Sequence, residues 1–151
     1  MKRFKFRLQT LLEQRERVEQ QAIVSYAQAK QAVSDALATL EDLRGLRAEL
    51  LDSLSILRAE GSIDPDEQLQ FQHYIRQVST DIERQQRNIE ELTRMSEKMR
   101  LAVVGASQDK KVVDKLREQK KDAHAAEERR AEQNETDEIA TLRHQHKARA
   151  A

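Results

Sequence analysis

Apolar residues recur along most of the chain with alternating spacings of three and four. One series extends from Leu8 to Leu54, and a second extends from Phe71 to Leu116. A heptad pattern sustained over this length is typical of long α-helices that pack side by side in a coiled coil. The pattern therefore predicts an all-α chain in which two helices each bury one stripe against the other.

A single turn signal separates the two series. Gly61 suits the left-handed backbone conformation that ends many helices, and Asp64 followed by Pro65 suits the start of another helix. A connection this short makes the two helices antiparallel neighbours. The chain is predicted to consist of a first helix at residues 1–60, a turn at 61–64 and a second helix of the coiled coil at 65–117. A polar helical extension follows at residues 118–151.

The two apolar stripes are mirror images about the turn. Leu54 pairs with Phe71, Leu50 with Ile75 and Leu43 with Ile82, and the position numbers of each pair have the same sum. Two unrelated helices would not show this agreement, so the stripes are predicted to pair within one chain and to leave a free monomer. The polar residues in the stripes, Arg15, Arg47 and Gln85, are predicted to specify register.

The heptad pattern ends after Leu116. Residues 118–151 are almost wholly polar apart from Ile139 and Leu142, and their composition favours helix. The mirror pairing places Phe4 opposite Lys120, so the last part of the chain is expected to project unpaired and to fray without a partner. The predicted fold class is a long two-helix antiparallel coiled-coil hairpin with a projecting C-terminal helical segment.

The composition changes the range of possible functions. Charged residues make up 36% of the chain and aromatic residues 3%, as expected of a coiled coil and not of a protein with a concave active site. The net charge of zero predicts no general attraction to nucleic acid. Cysteine is absent, which excludes disulfides and thiol chemistry and suits the cytoplasm.

No residue pattern indicates catalysis, so we predict that the chain is not an enzyme and acts by binding other proteins. His144 and His146 are two positions apart and would lie on different sides of a helix, where they cannot share a metal ion. His73 and His124 are isolated on polar faces and are predicted to be solvated. We predict no catalytic, cofactor or metal site, no cofactor and no small-molecule ligand.

The first residues are locally basic and also aromatic. Arg3, Lys5 and Arg7 alternate with Phe4 and Phe6. This pattern leaves two interpretations open. The segment is either the start of an amphipathic first helix or a docking tip for a protein or a membrane surface.

Both ends carry motifs that a coiled coil alone does not require. Residues 4–12 read F-x-F-x-L-x-x-L-L, and residues 132–140 read E-Q-x-x-x-D-E-I-A. Together with the hairpin between them, these motifs resemble the FliJ family of flagellar type III export proteins. The resemblance covers essentially the whole chain.

The resemblance implies a non-enzymatic stalk and chaperone-escort adaptor in the cytoplasm, peripherally associated with the inner face of the cell membrane at the flagellar base. The implied partners are the hexameric export ATPase, the cytoplasmic domain of the membrane export gate and substrate chaperones. The positions that match the ATPase-binding motifs are Phe4, Phe6, Leu8, Leu11, Leu12, Glu132, Gln133, Asp137, Glu138, Ile139 and Ala140.

The resemblance also implies a surface for the export gate nearer the turn. Its positions are Tyr74, Val78, Asp81 and Gln85, opposite Leu43, Leu46 and Leu50. Tyr74 is an aromatic residue outside the heptad stripe, whereas Asp81 departs from the small or apolar residues preferred there. Two alternatives to an export adaptor remain open. One is a scaffolding coiled coil, including a dimer in which the apolar stripes pair between two chains, and the other is the stalk of a virulence-type secretion system.

Overall fold

The computed structural model describes residues 3–150, which form two helices and contain no strand. Helix α1 is Gln9–Glu60, and helix α2 is Pro65–Ala150. The two helices pack against each other, so the predicted all-α helical hairpin is confirmed. None of the described helical stretches is both long and apolar enough to cross a membrane.

The turn between the helices has the chemistry that its residues predict. Gly61 ends α1 with a φ of 65°, and its N–H donates to the carbonyl of Arg58 at 3.2 Å. Pro65 is the first residue of α2, where a missing N–H costs nothing because no helical acceptor is present. The first i to i−4 bond of α2 joins the N–H of Gln68 to the carbonyl of Asp64 at 3.0 Å.

The contacts divide the chain into two units, and the central unit is residues 20–104. Its core is formed by Leu40, Val78 and Ile82, against which other apolar residues of the stripes pack. These are Leu43, Leu46, Leu50 and Ile89.

One predicted position of the central seam is wrong. Arg47 is exposed, and Leu46 packs against the core where the strict heptad spacing placed Arg47. An α-helix with 3.6 residues per turn drifts relative to a strict repeat of 3.5. Burying an unpaired guanidinium would also cost far more than burying Leu46 gains.

The terminal unit contains residues 3–19 together with the part of α2 from Gly105 onward. Its buried residues are Leu12 and Val113. Two ion pairs join its helical stretches: Lys110 Nζ lies 3.3 Å from Glu19, and Arg15 lies 3.5 Å from Asp109.

The first helix begins at Gln9 and not at residue 1. Residues 3–8 are not helical, whereas the predicted first helix included them; Met1 and Lys2 lie outside the described residues. At the other end, α2 is continuous to Ala150 and includes the predicted extension. Side chains of α2 are partly covered as far as Glu128, and every described side chain from residue 129 onward is exposed.

Candidate protein-binding surfaces

Residues 3–8, here called the N-terminal segment, form one side of the main candidate site. Arg3, Lys5 and Arg7 are exposed, whereas Phe4 and Phe6 are half-buried. This alternation is expected of an extended backbone, on which successive side chains point to opposite sides. A turn joins the segment to α1, with the N–H of Gln9 donating to the carbonyl of Phe6 at 3.2 Å.

The N-terminal segment is held on α2 by an aromatic contact. The rings of Phe4 and His124 meet edge to face, with their centroids 5.6 Å apart. The Nδ1 atom of His124 lies 3.8 Å from a carboxylate oxygen of Glu128, and the two form an ion pair when the imidazole is protonated. The prediction that His124 is solvated is therefore wrong, because its ring packs against Phe4.

The extended backbone explains why Phe4 packs against His124, one helical turn beyond the Lys120 that it was predicted to face. An extended residue advances about 3.3 Å, whereas a helical residue advances about 1.5 Å. The three residues Phe4, Lys5 and Phe6 precede the turn, so together they reach about 5 Å, or one helical turn, further along α2 than a helix would. For the same reason the partly covered part of α2 continues to Glu128, beyond the predicted end near residue 117.

The N-terminal segment and α2 enclose an open groove of about 700 Å³. We call it the terminal groove. It is lined by Phe4, Lys5, Phe6, Arg7, Leu8, Leu116, Lys120, Ala123, His124 and Glu127. Sequence reasoning selected Phe4, Phe6 and Leu8 but missed the contribution of α2. The signal for it was the two-residue alternation of the N-terminal segment, which is typical of an extended backbone.

Leu11 and Leu12 differ from the other residues of the N-terminal motif. Leu12 is only 1% exposed and is part of the core of the terminal unit, while Leu11 is half-buried. Leu8 remains 38% exposed. The motif therefore combines surface residues with a core residue.

The C-terminal motif lies on a fully exposed part of α2. Glu132, Gln133 and Ala140 are exposed, and Ile139 is exposed although it is apolar. Asp137 and Glu138 line a shallow surface depression with Asn134, Thr141 and Leu142. Every predicted residue of this motif is thus accessible to another protein.

The predicted gate residues of the central unit separate into two groups. Val78 is 2% exposed, and Gln85 donates from Nε2 to the carbonyl of Ala36 at 2.9 Å. Leu43, Leu46 and Leu50 are half-buried against the core. These five side chains mainly join the two helices.

The other gate residues are more accessible. Tyr74 is 45% exposed, and Asp81 is half-buried and lies 3.5 Å from Arg84. Tyr74 and Leu50 line a groove of about 670 Å³ near the turn, which we call the turn groove. Its other lining residues, which sequence reasoning did not select for this surface, are Leu57, Glu67, Gln70 and Phe71.

One ion pair outside both grooves shifts the pKa values of its two members. Arg100 donates to both carboxylate oxygens of Glu97, at 2.6 and 2.9 Å. These hydrogen bonds lower the pKa of Glu97 and raise the pKa of Arg100. Among residues 3–150, no group of three or more His, Asp or Glu side chains is placed to hold a metal ion.

Comparison with protein families gives a match to the family described as Flagellar FliJ protein, over residues 4–149. The chain belongs to the FliJ family. The resemblance predicted from the terminal motifs is therefore confirmed. Searches of curated proteins and of solved structures give no match.

Membership in the FliJ family identifies the chain as associated with flagellar protein export, a form of type III secretion. The family is a non-catalytic one. The FliJ match begins at Phe4 and ends at Arg149. It therefore includes residues 4–8 of the N-terminal segment, both grooves and almost all of the exposed part of α2.

Proposed function

We propose that this chain is a non-enzymatic adaptor of the flagellar export apparatus. Its terminal unit binds the hexameric export ATPase, and its central unit binds the cytoplasmic domain of the export gate. Binding to both components supports assembly of the flagellum at the inner face of the cell membrane. Substrate chaperones are further partners of the adaptor.

The observation that carries this proposal is the exposed part of α2 in a FliJ-family chain. From residue 129 to residue 150 every side chain is exposed, including the apolar Ile139 and Leu142. Helices in proteins gain most of their stability from packing of an apolar face, and this stretch has no such packing within the chain. A partner that covers Ile139 and Leu142 supplies the packing that the chain itself does not.

The gate-binding part of the proposal is supported by the turn groove. Tyr74 is a large aromatic residue that is 45% exposed beside Leu50 and Phe71. Tyrosine is enriched at the centres of protein interfaces because it combines a large apolar area with a polar hydroxyl. Val78 and Gln85 support this surface from inside the seam, and Tyr74 makes the direct contact.

The ATPase-binding part is tested with a chain that lacks residues 129–151. The deletion removes no packed side chain among those described, so the helicity of the remaining residues should be kept. We expect binding to the purified export ATPase, measured by surface plasmon resonance, to be lost. Undiminished binding by the shortened chain would contradict the proposal.

The gate-binding part is tested with the substitution Tyr74→Ala. Leu69→Ala is the matched control, because Leu69 is an exposed apolar residue of the same helix that does not line the turn groove. We expect Tyr74→Ala to weaken binding to the cytoplasmic gate domain by at least about tenfold and Leu69→Ala to change it little. Equal effects of the two substitutions would exclude the turn groove as the gate surface.

A further inference from the structure

The terminal groove is lined by both apolar and basic side chains. Phe4, Phe6, Leu8, Leu116 and Ala123 supply its apolar surface. The charged residues that line it are Lys5, Arg7, Lys120 and Glu127. Three cations against one carboxylate make the groove locally basic, although the chain as a whole has no net charge.

The cations of the groove are available to a partner. Within residues 3–150, no carboxylate lies within ion-pairing distance of Lys5, Arg7 or Lys120. Elsewhere in the terminal unit, basic residues do pair across the helices, as Lys110 does with Glu19. The absence of such pairs in the groove leaves its positive charge facing solvent.

The chain's own acidic segment does not fill the groove. Glu132, Asp137 and Glu138 belong to α2, which continues as one helix from the groove residues Lys120 and His124 to Ala150. A continuous helix cannot fold back onto its own earlier turns. The occupant must therefore come from another molecule.

A protein segment suits the groove better than a membrane or a nucleic acid does. Phe4 packs against His124 and Phe6 is half-buried, so neither ring projects freely as an anchoring side chain for a lipid bilayer. A phosphate backbone carries a charge on every unit and would place some of them against Glu127 and Glu128, whereas a protein segment can place its carboxylates only opposite Lys5, Arg7 and Lys120. A protein segment that carries an apolar side chain between carboxylates matches both the apolar and the basic side chains of the groove.

We propose that the terminal groove binds an acidic segment of the export ATPase that inserts an apolar side chain between Phe6 and Leu116. Lys5, Arg7 and Lys120 pair with carboxylates on either side of the inserted residue. This inference rests on the proposed function, and it adds α2 residues 116–127 to the binding surface. It also assigns the chemistry of the partner.

The test uses charge reversal in the full chain. Lys120→Glu reverses the charge of a residue that lines the groove. Lys121→Glu makes the same change at the next residue, which is exposed but does not line the groove. We expect Lys120→Glu to weaken binding to the purified export ATPase by at least about tenfold and Lys121→Glu by less than about twofold. Arg7→Glu and Arg3→Glu form a second matched pair with the same expectation.

Each other outcome of this test overturns the inference in a distinguishable way. If the unchanged chain binds the ATPase and Lys120→Glu binds equally well, the groove proposal fails and the proposed function stands. If the unchanged chain does not bind the ATPase at all, both fail. If Lys120→Glu abolishes binding to phosphatidylglycerol vesicles or self-association seen by light scattering, while ATPase binding persists, the occupant is a lipid surface or a second copy.

Discussion

The side-chain amide of Gln85 donates a hydrogen bond to the backbone carbonyl of Ala36 on the facing helix, at 2.9 Å. Ala36 is buried, and its lack of a long side chain lets the amide approach the backbone. A polar residue that is satisfied in only one alignment of two helices favours that alignment over others. The bond therefore explains how a seam of otherwise similar apolar residues selects one register.

Two substitutions of Gln85 should distinguish its effect on the free energy of unfolding from its effect on the register of the two helices. Gln85→Ala removes the hydrogen bond and leaves a gap, so we expect the free energy of unfolding to fall by about 1–2 kcal/mol. Gln85→Leu fills the site with an apolar residue of similar size and should change stability by less than about 1 kcal/mol. Urea unfolding followed by circular dichroism measures both, and the exposed neighbour Gln86→Ala is the control.

The register effect has its own measurement. Gln85→Leu should increase self-association in light scattering, because its seam no longer rejects pairings with a second chain. A Gln85→Leu variant that is less stable than Gln85→Ala and remains monomeric would contradict this role for the hydrogen bond.

The central seam could be predicted from sequence because one physical rule decides it. Leu40, Val78 and Ile82 are apolar at heptad spacing, and burial of apolar area is enough to select their face of each helix. The strict repeat of 3.5 residues placed Arg47 in the seam. A real helix has 3.6 residues per turn, and this drift brings Leu46 to the core in its place. Both outcomes follow from local pattern.

The terminal groove could be predicted only in part because it depends on a contact between distant parts of the chain. The alternation from Arg3 to Leu8 was visible, but a short alternating run is also compatible with the start of an amphipathic helix. Only the packing of Phe4 against His124 decides in favour of the extended backbone. The mirror pairing placed Phe4 opposite Lys120 because it assumed a helical backbone up to Phe4, so it missed His124 by one helical turn, and neither residue was predicted to be part of the binding surface.

Of two ion pairs in the chain, the longer one should contribute more to stability than the shorter one. The Glu97–Arg100 pair is shorter, at 2.6 Å, but the Glu97 side chain is 56% exposed. The Glu19–Lys110 pair is 3.3 Å long, and the Glu19 side chain is 12% exposed. Solvent screens an exposed pair, whereas removing one partner of a covered pair leaves the other charge partly desolvated.

Matched alanine substitutions test this order. Glu19→Ala should lower the free energy of unfolding by about 1–2 kcal/mol, while Glu97→Ala should leave the unfolding midpoint unchanged within error. Both changes gain the same helix propensity, so that effect cancels in the comparison. A larger loss for Glu97→Ala would show that distance and not burial controls these pairs.

The Glu97–Arg100 pair should instead be visible in a titration. The hydrogen bonds from Arg100 favour the ionised carboxylate, so the pKa of Glu97 lies below its ordinary value. A lowered folded-state pKa contributes stability above the unfolded-state pKa, and this contribution is lost as the pH falls through the folded-state value. Because Glu97 is exposed, we expect this effect on stability to be small.

Carboxyl-carbon NMR titration provides the direct measurement. Glu97 should titrate below the ordinary value of a glutamate side chain, and Arg100→Ala should return the pKa of Glu97 towards that value. Lys98→Ala is the control, because Lys98 is an adjacent cation that forms no ion pair with Glu97. An unchanged pKa of Glu97 in Arg100→Ala would refute the assigned cause.

The contact between Phe4 and His124 should control the release of the N-terminal segment. An edge-to-face aromatic pair contributes about 0.5–1.5 kcal/mol, so Phe4→Ala should raise the released population by roughly twofold to tenfold. Release exposes the backbone at Lys5 and Arg7 to trypsin. Early tryptic cleavage after Arg7, followed by mass spectrometry, should accelerate by this factor.

Two comparisons make the proteolysis result specific. His124→Ala removes the other ring and should have the same effect as Phe4→Ala. Cleavage after Arg143, in the exposed part of α2, should keep its rate in both variants. Equal acceleration after Arg7 and Arg143 would indicate general destabilisation and not local release.

The glycines provide a pair of substitutions with opposite expected signs. Gly61 has a φ of 65° and Gly45 is helical, and a Cβ added to either residue would meet no atom within 4 Å. Steric contacts therefore do not distinguish them, and only the backbone conformation does. Gly61→Ala should cost about 1 kcal/mol because an L-residue is strained in the left-handed region.

Gly45→Ala should instead raise the free energy of unfolding by about 0.5–1 kcal/mol, since alanine restricts the unfolded chain and favours helix. Urea unfolding of the two variants, measured side by side with the unchanged chain, gives both signs in one experiment. Destabilisation by Gly45→Ala would mean that this helical site packs against something that a Cβ disturbs. Stabilisation by Gly61→Ala would mean that the turn does not require a left-handed residue, and α1 would then end for another reason.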